Sequence, residues 1–511
     1  MSIDDEDNSN LDAIVEPPQG ADIPVAHAAG TVSPARTIHE PIPPLREVRA
    51  RLVKLPESET PADADAADRN AILLEDPEGF AAQPAVLSTW AYTLALLFDG
   101  RRSAVEAAST FQEKYGQSIL PEQALTLQNE LEQAFFLNSA TFEDGLRQRL
   151  NAYLDMPAWP AAHAGGSYPA DPIVLQETIE GFFSAPGGPG KLDDVRPAPA
   201  PTVNGNAALA VIVPHIDLRV GGPTYAHAYQ QLMTHSEADL IFVLGVAHQF
   251  TGEHIFSVSQ KDYDTPLGKL PNAREISKRL HAASGAEDMV AEMTHRGEFS
   301  VEFQAMLLKV LLGERCKRNV EIVPILCGSV DNYLARDLTP FKDAEFLRFT
   351  GALRQELESC GRKWCVLCSV DLSHVGPEFG HSSMIDERLL KPIERMDRKM
   401  LATLEKIDAE AFFNEIARTQ NSRHVDAVMS VLAMLQACKG LLKSAKLLHY
   451  DQMLKAPSHS AVSYAAMSFE GPENQPPAAL EQKSDAVLSV PASGAAEVKQ
   501  TESSLSEAVA S

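Results

Sequence analysis

Cysteine is scarce in this chain: six among 511 residues, scattered at Cys316, Cys327, Cys360, Cys365, Cys368 and Cys438. Thiols so sparse and unevenly spaced argue against a disulfide-stapled secreted domain and suit a reducing compartment. Positive charge is also short, with 44 Lys and Arg against 70 Asp and Glu and a net of −26. A surface of that sign repels phosphate backbones and anionic headgroups, which sets aside a general nucleic-acid or membrane-surface binder. No apolar run approaches the roughly 18 residues of a membrane span. The opening M-S-I-D-D-E-D is acidic where a secretory signal would be basic and then apolar. The expectation is a soluble cytoplasmic protein with room for one sizeable core.

Cys365 and Cys368 form a C-x-x-C, but it lies within W-C-V-L-C-S-V, whose alternation and β-propensity predict a buried strand. A redox or zinc pair would call for a loop or helix start and a second ligand pair nearby. These two thiols therefore read as small core side chains.

Residues 1–38 are acidic and poor in aromatics, and residues 471–511 are rich in Pro, Ala, Ser and Glu without apolar periodicity. Both ends are expected to be disordered. Residues 39–157 predict a small helical unit with a linker. L-L-E-D-P-E-G-F reads as a short strand and turn, and L-A-L-L-F-D-G-R-R-S as a helix closed at Asp99-Gly100. Ser103 can cap a second helix bearing Val105, Ala108 and Phe111. Pro121 opens a third, whose apolar stripe is Leu125, Leu131, Phe135 and Phe136. This succession, over about 70 residues, resembles the PqqD-like winged-helix modules, which implies a peptide ligand and a radical SAM partner; without the resemblance it is a helical adaptor.

Residues 158–470 alternate strand-like and helix-like runs. Leu209–Val213, Leu240–Val246, Val320–Cys327 and Trp364–Val370 read as strands, and Ser300–Leu312 and Leu338–Glu358 have helical length. The pattern predicts an α/β fold, a mixed sheet flanked by helices, with ligands at the carboxyl ends of strands. Those ends carry the chemistry-bearing residues. V-I-V-P-H-I-D presents His215 and Asp217, F-V-L-G-V-A-H presents His248, and C-V-L-C-S-V-D-L-S-H presents Asp371, Ser373 and His374. Imidazoles on separate rigid elements that converge on one point are what a first-row metal requires. Any one of them alone would more often be a hydrogen-bonded loop residue. Asp371 either orients an imidazole or caps the following helix. His295 precedes a helix on which Glu298 and Glu302, four apart, share a face; it reads equally as a base, a ligand or a loop residue.

P-H-I-D-L-R-V-G-G-P, I-F-V-L-G-V-A-H, D-T-P-L-G-K-L, H-R-G-E-F-S-V-E-F-Q, V-P-I-L-C-G, S-V-D-L-S-H-V-G and V-S-Y-A-A-M-S-F occur in order over some three hundred residues. Together they resemble the Memo family, called AmmeMemoRadiSam system protein B in bacteria. The resemblance implies a fold related to the class III extradiol dioxygenases, with a cleft for iron or copper at the strand ends. It also implies radical SAM and AMMECR-type partner proteins. Carried over by residue, the first two metal-binding histidines fall on His215 and His248, and the third position on Ser373.

Three positions depart from the family pattern. Phe299, in Glu298-Phe299-Ser300-Val301-Glu302, stands where a histidine usually lines the cleft. Asp217 replaces a glycine, and Asn421-Ser422 replaces a Cys-Gly. Two imidazoles and one hydroxyl hold iron or copper weakly, so Asp217, His374 or His295 is expected to complete the set. The reading is a metal-dependent, dioxygenase-like oxidation of a small phenolic or peptide-borne substrate, with His295 or His374 as acid or base. The rival is a non-catalytic adaptor that binds a peptide or a metal, which Phe299 favours. A hydrolase using Ser373 and His374 is weaker, since neighbours on a strand point to opposite sides.

Overall fold

The N-terminal unit is built from helices whose starts are chemically marked and from a small sheet that the sequence announced only in part. The computed structural model describes residues 36–54, 70–76, 80, 81, 83–192, 206–248 and 254–472. Most of both ends expected to be disordered, residues 1–35 and 473–511, lies outside the described residues. The antiparallel strands β1 (Arg49–Lys54), β2 (Asn70–Glu75) and β3 (Ala85–Ser88) pair in chain order. Four helices follow: α1 (Thr89–Ala95), α2 (Ala104–Tyr115), α3 (Pro121–Gln133) and α4 (Ala140–Asp155). Ser103 and Glu106 form a reciprocal capping box on α2, satisfying two amides that the helix cannot. Phe111, Leu127, Leu131 and Phe136 close one core with Leu74 and Leu94. Phe135, expected on the α3 stripe, lies beyond the helix end at φ 61°.

The chain then enters the larger unit through β4 (Ala158–Trp159), α5 (Pro172–Ser184), β5 (Asn206–Val213) and α6 (Leu218–His235). Next come β6 (Leu240–Val246), β7 (Phe256–Val258), β8 (Asp262–Tyr263), α7 (Arg274–Ser284), α8 (Asp288–Thr294) and α9 (Phe299–Leu308). They are followed by β9 (Glu321–Cys327), α10 (Asp331–Leu334), α11 (Ala344–Ser359), β10 (Trp364–Ser369) and β11 (Asp371–Val375). The last elements are α12 (Glu387–Glu405), α13 (Ala409–Arg418), α14 (Val428–Ala437), β12 (Ser444–Lys455) and β13 (Ser460–Pro472).

The main sheet has the order β11-β13-β5-β10-β6-β9-β7, with β12 paired to β13. Its centre, β5-β10-β6-β9, is parallel and its flanks are antiparallel. Both faces are covered. In β10, Val366 and Cys368 join the core under α11, α13 and α14, while Cys365 and Leu367 join the opposite core under α5, α6 and α9. The C-x-x-C is thus two buried thiols on opposite faces of one strand, as the alternation predicts.

Helix bounds differ where local chemistry moved them. α11 begins at Ala344 because Asp343 accepts the Phe346 N–H at 2.9 Å, so the expected start at Leu338 is too early. α9 ends at Leu308 and passes into a π-helical turn, Lys309–Arg315. Gly221 and Gly222 sit inside α6 because space demands it. A Cβ on either would stand 2.4 Å from a side-chain atom, of Ile216 or of Phe182.

Candidate metal centre

His215 follows Pro214 at the end of β5, and His248 follows Ala247 at the end of β6. Between those strands lies β10, so the two imidazoles stand at the carboxyl ends of strands two apart in the parallel centre of the sheet, where ligands of such sheets bind. Their rings meet edge to face with centroids 5.2 Å apart. The third member is Asp426, in the loop before α14. Its Oδ2 lies 2.9 Å from His215 Nε2 and 3.9 Å from His248 Nε2. One donor atom from each of the three falls within 4.8 Å of the others, the distance at which a single cation can be shared.

Buried carboxylates orient each member. Glu298 accepts the His248 Nδ1–H at 3.0 Å and its backbone N–H at 3.1 Å, which leaves the Nε2 lone pair facing Asp426. Those bonds, with one from the Ser300 amide, outweigh burial and hold Glu298 below its ordinary range. Asp371 accepts the backbone N–H groups of His215 and Ile216 at 3.0 and 3.2 Å, and its own N–H donates to Asp426 Oδ1 at 3.0 Å. Burial opposes charge on His215, yet the carboxylates of Asp371 and Asp426 outweigh it and push the ring up to about 10. Three carboxylates, the buried Glu298 and Asp371 and the half-buried Asp426, gather around two imidazoles, a donor arrangement that a divalent cation complements.

The donor set fits such an ion. Two imidazoles and one carboxylate suit iron(II) or another borderline divalent metal, whereas copper(I) prefers sulfur. Among the described residues, no cysteine joins the group. His215 Nδ1 is buried without a hydrogen-bond partner, so that ring's chemistry is directed through Nε2.

The other expected residues fall in different places. Asp217 does not join the histidines: it caps α6, accepting the Arg219 N–H at 2.8 Å, and pairs with the Arg219 guanidinium. The short turn after His215 points its carboxylate back to the nearest free amide. Ser373 is also elsewhere. Its Oγ donates to Asp397 at 2.6 Å and accepts from Arg423 Nε at 2.9 Å, so its hydroxyl is already engaged. His295 is a core residue, with Nε2–H donating to the Ser257 carbonyl at 3.2 Å and Nδ1 accepting from Tyr263 at 2.9 Å. Burial pulls it down to about 4, and both nitrogens are occupied.

His374 does face the group, with Nε2 4.0 Å from Asp426 Oδ2. Its Nδ1 contacts two carbonyls, of Leu372 and His424, so Nδ1 carries a proton and Nε2 is the nitrogen turned toward the group. Phe299 stands among the rings, stacked on His248 at 4.6 Å and edge-on to His215 and His163 at 5.6 and 5.9 Å. Glu302 lies beneath, accepting from Tyr168 O–H at 2.6 Å and from the amides of Ala162 and His163, and so fastens the 162–168 loop against α9.

Sequence reasoning missed Asp426, because no strand end carries it. A faint signal was available: it stands directly before the apolar helix of α14 and two residues after His424.

A helix-flanked mixed sheet whose strand ends bring two imidazoles to a carboxylate on a nearby loop defines an α/β protein with a candidate metal centre. The chain belongs to the Memo-like protein family, whose sequence model matches residues 159–468. A MEMO1 family protein of Aquifex aeolicus (strain VF5) is 29% identical over 402 residues, 78% of this chain and 95% of the relative. Its counterpart in Desulfurococcus amylolyticus is 26% identical over 308 residues, 60% of this chain and 96% of that one. One from Sulfolobus acidocaldarius is 32% identical over 243 residues, 47% and 78% of the two chains. The Aquifex alignment is longer than the family match and everything C-terminal to it together, so it includes part of the N-terminal unit.

Proposed function

We propose that this protein is a mononuclear metal enzyme of the dioxygenase-like kind, in which His215, His248 and Asp426 hold iron(II) and a small phenolic or peptide-borne substrate enters from the strand ends. The observation that carries the reading is the convergence of three donor atoms within 4.8 Å, two of them on the ends of strands two apart in the sheet. When bound, such a metal supplies Lewis acidity and a site for oxygen chemistry. The chain's own groups do the rest. Glu298 and Asp371 keep the imidazoles aimed, and Phe299 offers an aromatic wall against which a substrate ring can lie. His374 Nε2, beside Asp426, is placed to exchange a proton with a phenol.

Phe299 also favours a second reading, a binding protein that holds a metal or peptide without turnover, because an apolar ring occupies space next to both histidines. Under either reading, radical SAM and AMMECR-type proteins are the partners, and the N-terminal unit is the peptide-binding part.

The test is iron(II) uptake by the anaerobically purified full chain, followed by oxygen consumption with a panel of catechols. The parent is expected to bind one iron, and Asp426→Asn and the His215→Ala, His248→Ala double variant to bind none. Equal iron in all three proteins would refute the centre. Iron binding without oxygen consumption on any phenol would favour the binding protein.

A further inference from the structure

The loop that delivers Asp426 is built against the preferences of its own residues. Between α13 and α14, Gln420, Asn421, His424 and Ala427 hold φ between 47° and 50°, though none is glycine. That left-handed conformation crowds Cβ against the carbonyl, and only outside contacts keep such a run in place. Asn421 brackets the loop from within, accepting the Val425 N–H at 2.9 Å and donating Nδ2–H to the Val425 carbonyl at 3.0 Å. From β11, the His374 N–H donates to the Arg423 carbonyl at 2.7 Å.

The Arg423 side chain turns back into the protein. It is about nine-tenths buried, donates Nε–H to Ser373 Oγ at 2.9 Å and lies 3.6 Å from the Asp397 carboxylate. Asp397, wholly buried on α12, accepts from Ser373 Oγ and Ser463 Oγ, each at 2.6 Å, and from Tyr450 O–H at 2.9 Å. A carboxylate so placed needs a cation within reach, and Arg423 is the one it has among the described residues. The pair thereby ties α12, β11, β12 and β13 to a point three residues from Asp426.

We infer that Arg423, locked by Ser373 and Asp397, is a positioning residue that holds Asp426 within reach of His215 and His248. It explains why Ser373, carried over as a ligand position, is committed elsewhere: the serine serves the ligand loop and not the ion. The inference rests on the metal reading of the site for its function, but its structural part can be tested without any metal.

The experiment compares the full-length parent with Arg423→Met and Arg423→Lys, using cobalt(II) alone as the probe and its visible spectrum as the readout. Backbone hydrogen exchange is followed in the metal-free proteins. Arg423→Met is expected to weaken cobalt affinity by about 10- to 100-fold, as loss of an orienting partner does, with Arg423→Lys recovering part of it. Exchange should quicken at residues 421–427 while the amides of β5, β6 and β10 stay protected. Unchanged exchange in that loop, or quickening spread evenly over the central strands, would overturn the inference and leave Arg423 a general stabiliser. If the parent takes up no cobalt, the metal reading falls, while quickening confined to the loop still supports the positioning role. Cobalt affinity unaltered in Arg423→Met overturns it.

Discussion

His295 and His374 began as equivalent candidates and ended with opposite roles, because an imidazole's use depends on what its two nitrogens meet. His295 has a carbonyl at one and a tyrosine hydroxyl at the other, deep in the protein. It stays neutral when folded, its value pulled down to about 4 by burial. The unfolded chain, near 6.5, therefore takes up the proton first as the pH falls. The stability His295 supports is complete above about pH 6.5 and declines toward pH 4, by on the order of 3 kcal/mol in the limit. Chemical denaturation of the parent and of His295→Gln at pH 7 and pH 4.5 checks this: the parent should lose more stability across that interval. Parallel losses would show that the ring does not set the acid limit. At His374, by contrast, one nitrogen is left free beside Asp426.

Strand ends aim the histidines only because neighbouring elements hold them there. β6 ends at Gly245-Val246, where Ser300 Oγ of α9 accepts the Val246 N–H at 3.0 Å and Ser430 Oγ of α14 donates to the Gly245 carbonyl at 2.8 Å. At Gly245 α9 comes close, since a Cβ there would stand 2.6 Å from Ser300 Oγ and 2.8 Å from Val301 Cγ2. Gly245→Ala should push α9 away from β6, costing about 1–3 kcal/mol as other overpacked substitutions do. It should also disturb the Glu298–His248 bond, since Glu298 caps α9. Thermal unfolding reads the first effect and the His248 ring chemical shifts the second. A variant with unaltered melting and shifts would mean that the two elements separate freely. On the other strand, Gln304 of α9 donates to the Pro214 carbonyl at 2.8 Å and accepts from Tyr229 O–H, and so steadies the approach to His215.

The two units are joined by more than a linker. Arg296 of the larger unit covers the Tyr153 ring of α4 at 4.8 Å, next to the point where β4, entering the larger unit, pairs with β8. The buried Lys261 ammonium donates to the carbonyls of Leu154 and Met156, at 2.5 and 2.6 Å, at the C-terminal end of α4. A cation there satisfies orphan carbonyls and complements the helix dipole. Lys261→Met should therefore cost about 1 kcal/mol of α4 stability, since it removes the hydrogen bonds to two half-buried carbonyls at the helix end. Exchange at the α4 amides should rise while β6 and β10 remain protected. If α4 exchanges as in the parent, the helix is held by other contacts alone. As α4 packs on α8, which leads into Glu298, the N-terminal unit abuts the segment that orients His248.

How much of this was legible follows from the range over which each feature is specified. Strands β5, β6, β9 and β10 were readable because burial on both faces demands continuous apolar runs, and α2 because its cap is written in neighbouring residues. His215 and His248 were readable because they end those strands. Asp426 was not, since its approach depends on a left-handed loop more than two hundred residues from His215 in the chain and on an ion pair with α12. Nor was the fate of Asp217, where a local amide and Arg219 captured the carboxylate before the cleft could. Local periodicity and capping are properties of consecutive residues and need no fold to be seen. The choice of which carboxylate meets the histidines is a contest among distant partners, and packing alone settles it.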